Sequence, residues 1–378
     1  MINRILLQQV QARIRQSNKV VILYGARQVG KTTLSNEVLA NLVGKTLRIN
    51  ADQFTYSEIL SSRDLTKLKG LVSGYDNLFI DEAQRIPDIG INLKILHDEL
   101  STLKILVTGS SSLELANRIR EPLTGRTWTF KLYPISIPEF QKYLDLNDFE
   151  VQLQLEEWMR FGSYPELLLL NNYNDKIAYL EEVRDAYLYK DIFALGNIRY
   201  PEKLRQLLRL LSYQIGNLVS IHELATSLQV NRDTIINYID LLEKAFVIFR
   251  LKGLSRNLRK EVTSMDKIYF LDLGTRNSLI ENYSELQNRN DTGALWENLL
   301  LIERIKKNEY SKFYANQYFW RTHTGAELDY VEEKDGVFHG FEFKWGKKRV
   351  HAPQTWLNTY PDASYQLINQ NNFLDFIS

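Results

Sequence analysis

The 378-residue chain is longer than one hydrophobic core usually spans, so its length implies about two or three domains. A hydrophobic share of 44% with 25% charged residues excludes a disordered chain, and 47 basic against 46 acidic side chains exclude a global pull toward nucleic acid or membrane. No cysteine is present, which excludes disulfides and thiolate sites; the polar-interrupted start and the lack of any apolar run of roughly 20 residues make the cytoplasm the expected location, with no membrane partner.

Short β-branched runs separated by helical patterns fill residues 19–134, and Val20–Tyr24, Leu47–Asn50, Leu78–Asp81 and Lys104–Thr108 read as strands. Nearly continuous apolar strands alternating with helices predict a parallel sheet covered on both faces, with ligands at the carboxyl ends of its strands. The first strand runs into Gly25-Ala26-Arg27-Gln28-Val29-Gly30-Lys31-Thr32, and Thr33 opens a helical pattern after it. The fingerprint G-x-x-x-x-G-K-[ST] therefore stands in its required strand-loop-helix setting. Glycines at 25 and 30 let successive N–H groups point inward, and the helix start adds partial positive charge. Residues Gly25 to Thr33 are expected to hold a nucleotide, Lys31 reaching the β and γ phosphates and Thr32 offering a hard oxygen to Mg²⁺.

Such a site needs a carboxylate at the end of a neighbouring strand, and Leu78-Phe79-Ile80-Asp81-Glu82 supplies one. Asp81 is the expected metal ligand, through water, and Glu82 the group that orients and deprotonates the attacking water. A helix N-terminus after a buried strand would use the same two residues. The next strand ends in Thr108-Gly109-Ser110-Ser111-Ser112, where Ser110 is the candidate reporter of the γ-phosphate and Ser111 or Ser112 can cap the following helix. Of the arginines that follow, Arg118, Arg120 and Arg126, the last is the candidate cation for the transferring phosphoryl group.

These runs, with Phe79-Ile80-Asp81-Glu82-Ala83-Gln84 and Leu123-Thr124-Gly125-Arg126, resemble the AAA-type ATPases of prokaryotes over residues 1–140. Arg160-Phe161-Gly162-Ser163-Tyr164-Pro165-Glu166 and Phe270-Leu271-Asp272-Leu273-Gly274 resemble the region of unknown function usually fused to them. The resemblance implies binding and hydrolysis of ATP with Mg²⁺ and leaves the load unnamed.

Ser220 to Ala225 begins a short amphipathic helix, and Asn231 can cap a second one carrying Ile235, Ile236, Ile239 and Leu242 at helical spacing. The pair resembles a helix-turn-helix with a wing-like run, Phe246 to Leu251, and a basic stretch of Lys252, Arg256, Arg259 and Lys260. Asp233, Asp240 and Glu243 lie beside Arg232 and Lys244 on the second helix, so DNA contact and a packing-only scaffold both stand open.

Toward the carboxyl end, Glu297 falls on a helical pattern, Asp329 on a strand, and Glu342-Phe343-Lys344 on the next strand. Residues two apart in a strand share a face, so Glu342 and Lys344 project together and can meet Asp329 across a hairpin. The set looks like the metal-dependent nuclease superfamily with an Asp and a Glu-x-Lys on adjacent strands. That resemblance implies a second metal on Glu297, Asp329 and Glu342 with Lys344 catalytic; a cross-strand ion pair is the alternative.

The fold class expected is α/β: a P-loop AAA-type domain over 1–140, a helical connector over 141–215, a winged-helix-like unit over 216–264 and a nuclease-like α/β domain over 265–378. The expected function is ATP hydrolysis driving a conformational switch that engages DNA through the C-terminal half. The alternative is a regulatory ATPase that binds a protein partner and carries an inactive nuclease-like domain. An arginine supplied in trans would require an oligomer.

Overall fold

The computed structural model describes residues 2–110, 123–192, 198, 200–254, 265–322, 325–346 and 351–378. Ser111, Ser112, Arg118, Arg120, Arg256, Arg259 and Lys260 lie outside the described residues. The chain divides into two compact units, Met1–Pro134 with Lys244–Phe246, and Ile135–Glu243 with Val247–Ser378. Among the described residues no helix is long and apolar enough to cross a membrane.

In the first unit β1 (Val20–Tyr24), β2 (Thr46–Asn50), β3 (Asn77–Asp81), β4 (Lys104–Gly109) and β5 (Thr127–Lys131) form a parallel sheet in the order β2-β3-β4-β1-β5. The central strands are buried almost throughout because helices cover both faces, which is why they read as unbroken apolar runs. The helices Lys31–Ala40, Leu65–Val72 and Ile89–Glu99 stand between successive strands. Register decides what shares an edge: Tyr24 lies beside Gly109 and Asn50 beside Asp81, so the residues after β1, β3 and β4 emerge at the same carboxyl end.

The second unit begins with helices Ile137–Leu144 and Asp148–Phe161, each opened by a capping box, Ser136 with Glu139 and Asn147 with Glu150. Its mixed sheet contains β6 (Leu218–Val219), β7 (Ile248–Gly253), β8 (Asp266–Phe270), β9 (Asn316–Arg321), β10 (Glu327–Lys334), β11 (Val337–Phe343) and β12 (Ser364–Ile368). The order is β12-β11-β10-β9-β7-β8-β6, so one sheet carries both the strands after the helix pair Ile221–Leu228 and Arg232–Lys244 and those of the carboxyl-terminal hairpin. The helix Thr292–Ser311 is pinned to β8 by Asn298, whose amide bonds both the N–H and the C=O of Phe270 at 2.8 Å.

Two glycines explain why the runs 160–166 and 270–274 occur together. A Cβ on Gly162 would lie 2.2 Å from Asp272 Oδ2, and one on Gly274 would lie 1.9 Å from the Phe161 carbonyl oxygen. Asp272 uses that approach to accept the Ser163 N–H at 2.7 Å while capping the helix Leu273–Leu279 through the Thr275 N–H at 2.8 Å.

Candidate functional site

The nucleotide-binding residues expected from sequence lie where β1 ends. Gly25 passes so close to the exit of β5 that a Cβ there would meet Leu132 O at 2.2 Å. Gly30 has φ 92° as it opens the helix Lys31–Ala40, a conformation that costs a residue with a side chain more than glycine. Arg4 holds this loop from behind, donating through Nη1 to Val29 O at 2.8 Å and through Nη2 to Tyr133 O at 2.6 Å. The Lys31 side chain folds back into the loop, its ammonium donating to Gly25 O at 3.0 Å and Ala26 O at 2.8 Å. Burial pulls its pKa down to about 8, against the opposing pull of the Glu82 and Asp81 carboxylates.

Asp81 sits at the centre of a hydroxyl pair. Thr32 Oγ1 donates to its Oδ2 at 2.9 Å, and Thr108 Oγ1 donates to its Oδ1 in a very short bond. Glu82 follows with φ 54° and ψ 40°, a left-handed backbone that costs a non-glycine residue on the order of 1–3 kcal/mol. Its N–H offsets part of that by donating to Asp81 Oδ1 at 3.2 Å and Thr108 Oγ1 at 3.3 Å. The turn brings Gln84 beside Glu82, and Gln84 Nε2 donates both to Glu82 Oε2 and, at 2.7 Å, to Ser110 Oγ. The other amide atom, Gln84 Oε1, is buried and finds no hydrogen-bond partner among the described residues.

The structure thus brings together Gly25, Ala26, Arg27, Gln28, Val29, Gly30, Lys31, Thr32 and Thr33 with Asp81, Glu82 and Ser110 at one end of the sheet. Arg126 is not among them. Its carbonyl accepts the N–H of Val20, the first residue of β1, so it lies at the opposite end of the strands, and its Nε donates to Asp98 Oδ1 at 2.7 Å. The Arg126 hydrogen bond, helped by His97, holds the Asp98 carboxyl down at about 2. Arg4, Thr108 and Gln84 are contacts to which the sequence reading gave no role; Thr108 and Gln84 carried a signal, as members of the runs Thr108 to Ser112 and Phe79 to Gln84.

In the second unit Glu297, Asp329, Glu342 and Lys344 also converge. Tyr330 faces Phe341 across the β10–β11 hairpin, which makes Asp329 and Glu342 the next residues along, and Asp329 Oδ2 accepts the Phe343 N–H at 2.8 Å. Lys344 lies 2.6 Å from Glu342. The sequence reading had no place for Lys267 on β8, which is buried with its ammonium 3.2 Å from Glu297 Oε1 and 3.8 Å from Asp329 Oδ1. Tyr269, two residues on and therefore on the same face, donates to the same Glu297 oxygen at 2.6 Å. Burial, with repulsion from Asp329, pushes the Glu297 carboxyl up to about 7. Among the described residues no group of three or more His, Cys, Asp or Glu side chains is arranged to hold a metal ion.

Residues 17–141 match the family described as an AAA domain, residues 152–286 a domain of unknown function (DUF8612), and residues 292–371 a domain of unknown function (DUF4143). The uncharacterized protein Rv2008c of Mycobacterium tuberculosis is 32% identical over 333 residues, covering 86% of this chain and 70% of that protein. The uncharacterized protein MJ1544 of Methanocaldococcus jannaschii is 28% identical over 339 residues, covering 83% and 72%. Among solved structures, the Walker-type ATPase PABY2304 of Pyrococcus abyssi aligns with 74% of this chain and 96% of its own at 16% identity and a TM-score of 0.49. The AAA match, on a sheet of P-loop type, supports ATP binding and hydrolysis. The chain belongs to the same protein family as Rv2008c, and its residues 17–141 are the AAA domain.

Proposed function

We propose that this protein is a Mg²⁺-dependent ATPase in which hydrolysis drives a conformational switch. The observation that carries the reading is the bonded chain from the phosphate loop to the base: Thr32 to Asp81 at 2.9 Å, and Gln84 joining Glu82 to Ser110. Thr32 and Asp81 form an all-oxygen donor set that fits Mg²⁺, which when bound neutralises charge on the phosphates. Lys31 exchanges its two carbonyl acceptors for phosphate oxygens, a stronger charge-assisted bond. Glu82 accepts the proton of the attacking water, and Gln84 fixes the direction in which its carboxylate faces. Because Ser110 Oγ accepts from Gln84, its own O–H is left to donate, which suits contact with the γ-phosphate. Arg126, held by Asp98, has no part in the nucleotide site of its own chain in this scheme.

For the load, the ion pairing in the second unit supports a protein partner over DNA. Arg250, on the strand after the helix pair, places Nη2 2.8 Å from both Asp240 and Glu243, so these charges are spent on each other rather than offered to phosphates. The winged-helix-like and nuclease-like parts then serve as docking surfaces. Phosphate release from ATP, measured with and without Mg²⁺ and duplex DNA, tests both halves. Turnover that requires Mg²⁺ and is unchanged by DNA is expected; absence of turnover would refute the ATPase reading. Stimulation by DNA that fades steeply with salt would replace the protein partner with DNA.

A further inference from the structure

The nuclease resemblance implies a divalent ion on Glu297, Asp329 and Glu342, and the donor set tests that implication. Magnesium and calcium take carboxylate oxygens at about 2.0–2.6 Å, and these must be free to turn toward the ion. Here each carboxylate is already engaged. Glu297 Oε1 receives the Lys267 ammonium at 3.2 Å and the Tyr269 hydroxyl at 2.6 Å. Asp329 receives the Phe343 N–H at 2.8 Å and has Lys267 3.8 Å away. Glu342 is paired with Lys344 at 2.6 Å.

Lys267 is no stray surface lysine. It is 3% exposed, sits on a strand inside the sheet between β7 and β6, and its ammonium lies 5.7 Å from the centre of the Phe319 ring. A buried ammonium is costly unless paired, and its two nearest acids, Glu297 and Asp329, are two of the three on which the metal is implied. A divalent ion on these acids would have to displace the Lys267 and Lys344 ammoniums from them. The residues present do not fit a resident divalent ion.

We propose that Lys267 is the built-in cation of this centre: it bridges Glu297 and Asp329, keeps divalent ions out, and makes the carboxyl-terminal unit a non-cleaving remnant of a nuclease-like site. The inference concerns the second unit alone, so it stands or falls separately from the ATPase reading.

The test is a Tb³⁺ titration of the full chain without nucleotide, followed by tryptophan-sensitised luminescence. Trp296 and Trp345, whose ring centres are 5.2 Å apart, flank Glu297 and Lys344 in sequence and supply the sensitiser. The wild type is expected to give no signal that depends on Glu297, and Mg²⁺ or Mn²⁺ is expected to elicit no nicking of plasmid DNA. Lys267→Met, which keeps a long apolar side chain, and Lys267→Ala are each expected to gain a signal that disappears on adding Glu297→Gln. A wild-type signal abolished by Glu297→Gln overturns the proposal, as does metal-dependent nicking abolished by Lys344→Ala. So does a folded Lys267 variant, checked by circular dichroism, that gains nothing. The wild-type measurements decide the matter even if neither lysine variant folds.

Discussion

Gln84 shows how much of this site is set by a single side chain. Its amide spans the 2.7 Å to Ser110 while bonding Glu82, so removing it frees the carboxylate without touching the phosphate loop. Gln84→Ala is expected to lower kcat about 10- to 100-fold while leaving KM for ATP nearly unchanged, because a positioning residue for the base acts on the chemical step rather than on binding. A merely structural role would instead raise KM and lower the melting temperature. Local chemistry explains which residues were legible in advance. Phosphate binding needs glycines, a lysine and a hydroxyl at fixed spacing in one loop, and the metal carboxylate comes at the end of a buried strand, so Gly25 to Thr33, Asp81 and Glu82 could be named from the chain alone. Lys267 could not, since its partners lie 30 and 62 positions away and meet it only through sheet order. That Arg126 lies at the other end of the strands was not legible either, since sequence proximity to Ser110 says nothing about which end of the sheet a strand starts from.

At the scale of elements, the alternation of apolar runs and helices announced the parallel sheet, and four of its strands were read directly. The fifth, β5, escaped because Thr127-Trp128-Thr129-Phe130-Lys131 alternates polar and apolar residues, as suits an edge strand with one face less covered. Asn231 caps the second helix of the pair as its position suggested, accepting the Thr234 N–H at 2.7 Å. What no local pattern reveals is the clamp at the start of the helix Thr292–Ser311. There Asp291 bonds Arg276 at 2.6 Å and Arg289 at 2.8 Å, joining that helix to Leu273–Leu279. Burial alone would raise the Asp291 carboxyl, but hydrogen bonds from Arg289 and Arg276 outweigh it and bring it down to about 2 from an ordinary 3.8. A folded-state value below the unfolded one gives stability that is complete above the unfolded value and is lost as pH falls toward the folded one. Asp291→Asn is therefore expected to cost about 3 kcal/mol near neutral pH, leaving two buried guanidiniums without their carboxylate. Urea unfolding should show that difference shrinking as pH falls through the range from about 4 to about 2. An equal loss at every pH would mean that the ion pairs contribute nothing.

At the scale of the whole molecule, the second unit is built on a seven-stranded sheet and on internal pairing: Arg250 with Asp240 and Glu243, Lys267 with Glu297, Arg304 with Glu332 at 2.7 Å, and Lys306 with Glu303 at 2.6 Å. These charges are spent on each other inside the unit, which accords with the proposed docking role. In the proposed mechanism the energy source lies in the first unit, where Lys31 meets the phosphates and Glu82 the water. The most direct measurement is equilibrium ATP binding alongside steady-state phosphate release for the wild type, Lys31→Ala and Glu82→Gln. We expect Lys31→Ala to lose both, and Glu82→Gln to bind ATP with wild-type affinity while hydrolysis falls at least about 100-fold, the usual worth of a general base. Hydrolysis by Glu82→Gln at the wild-type rate, or undiminished ATP binding by Lys31→Ala, would contradict the proposed mechanism.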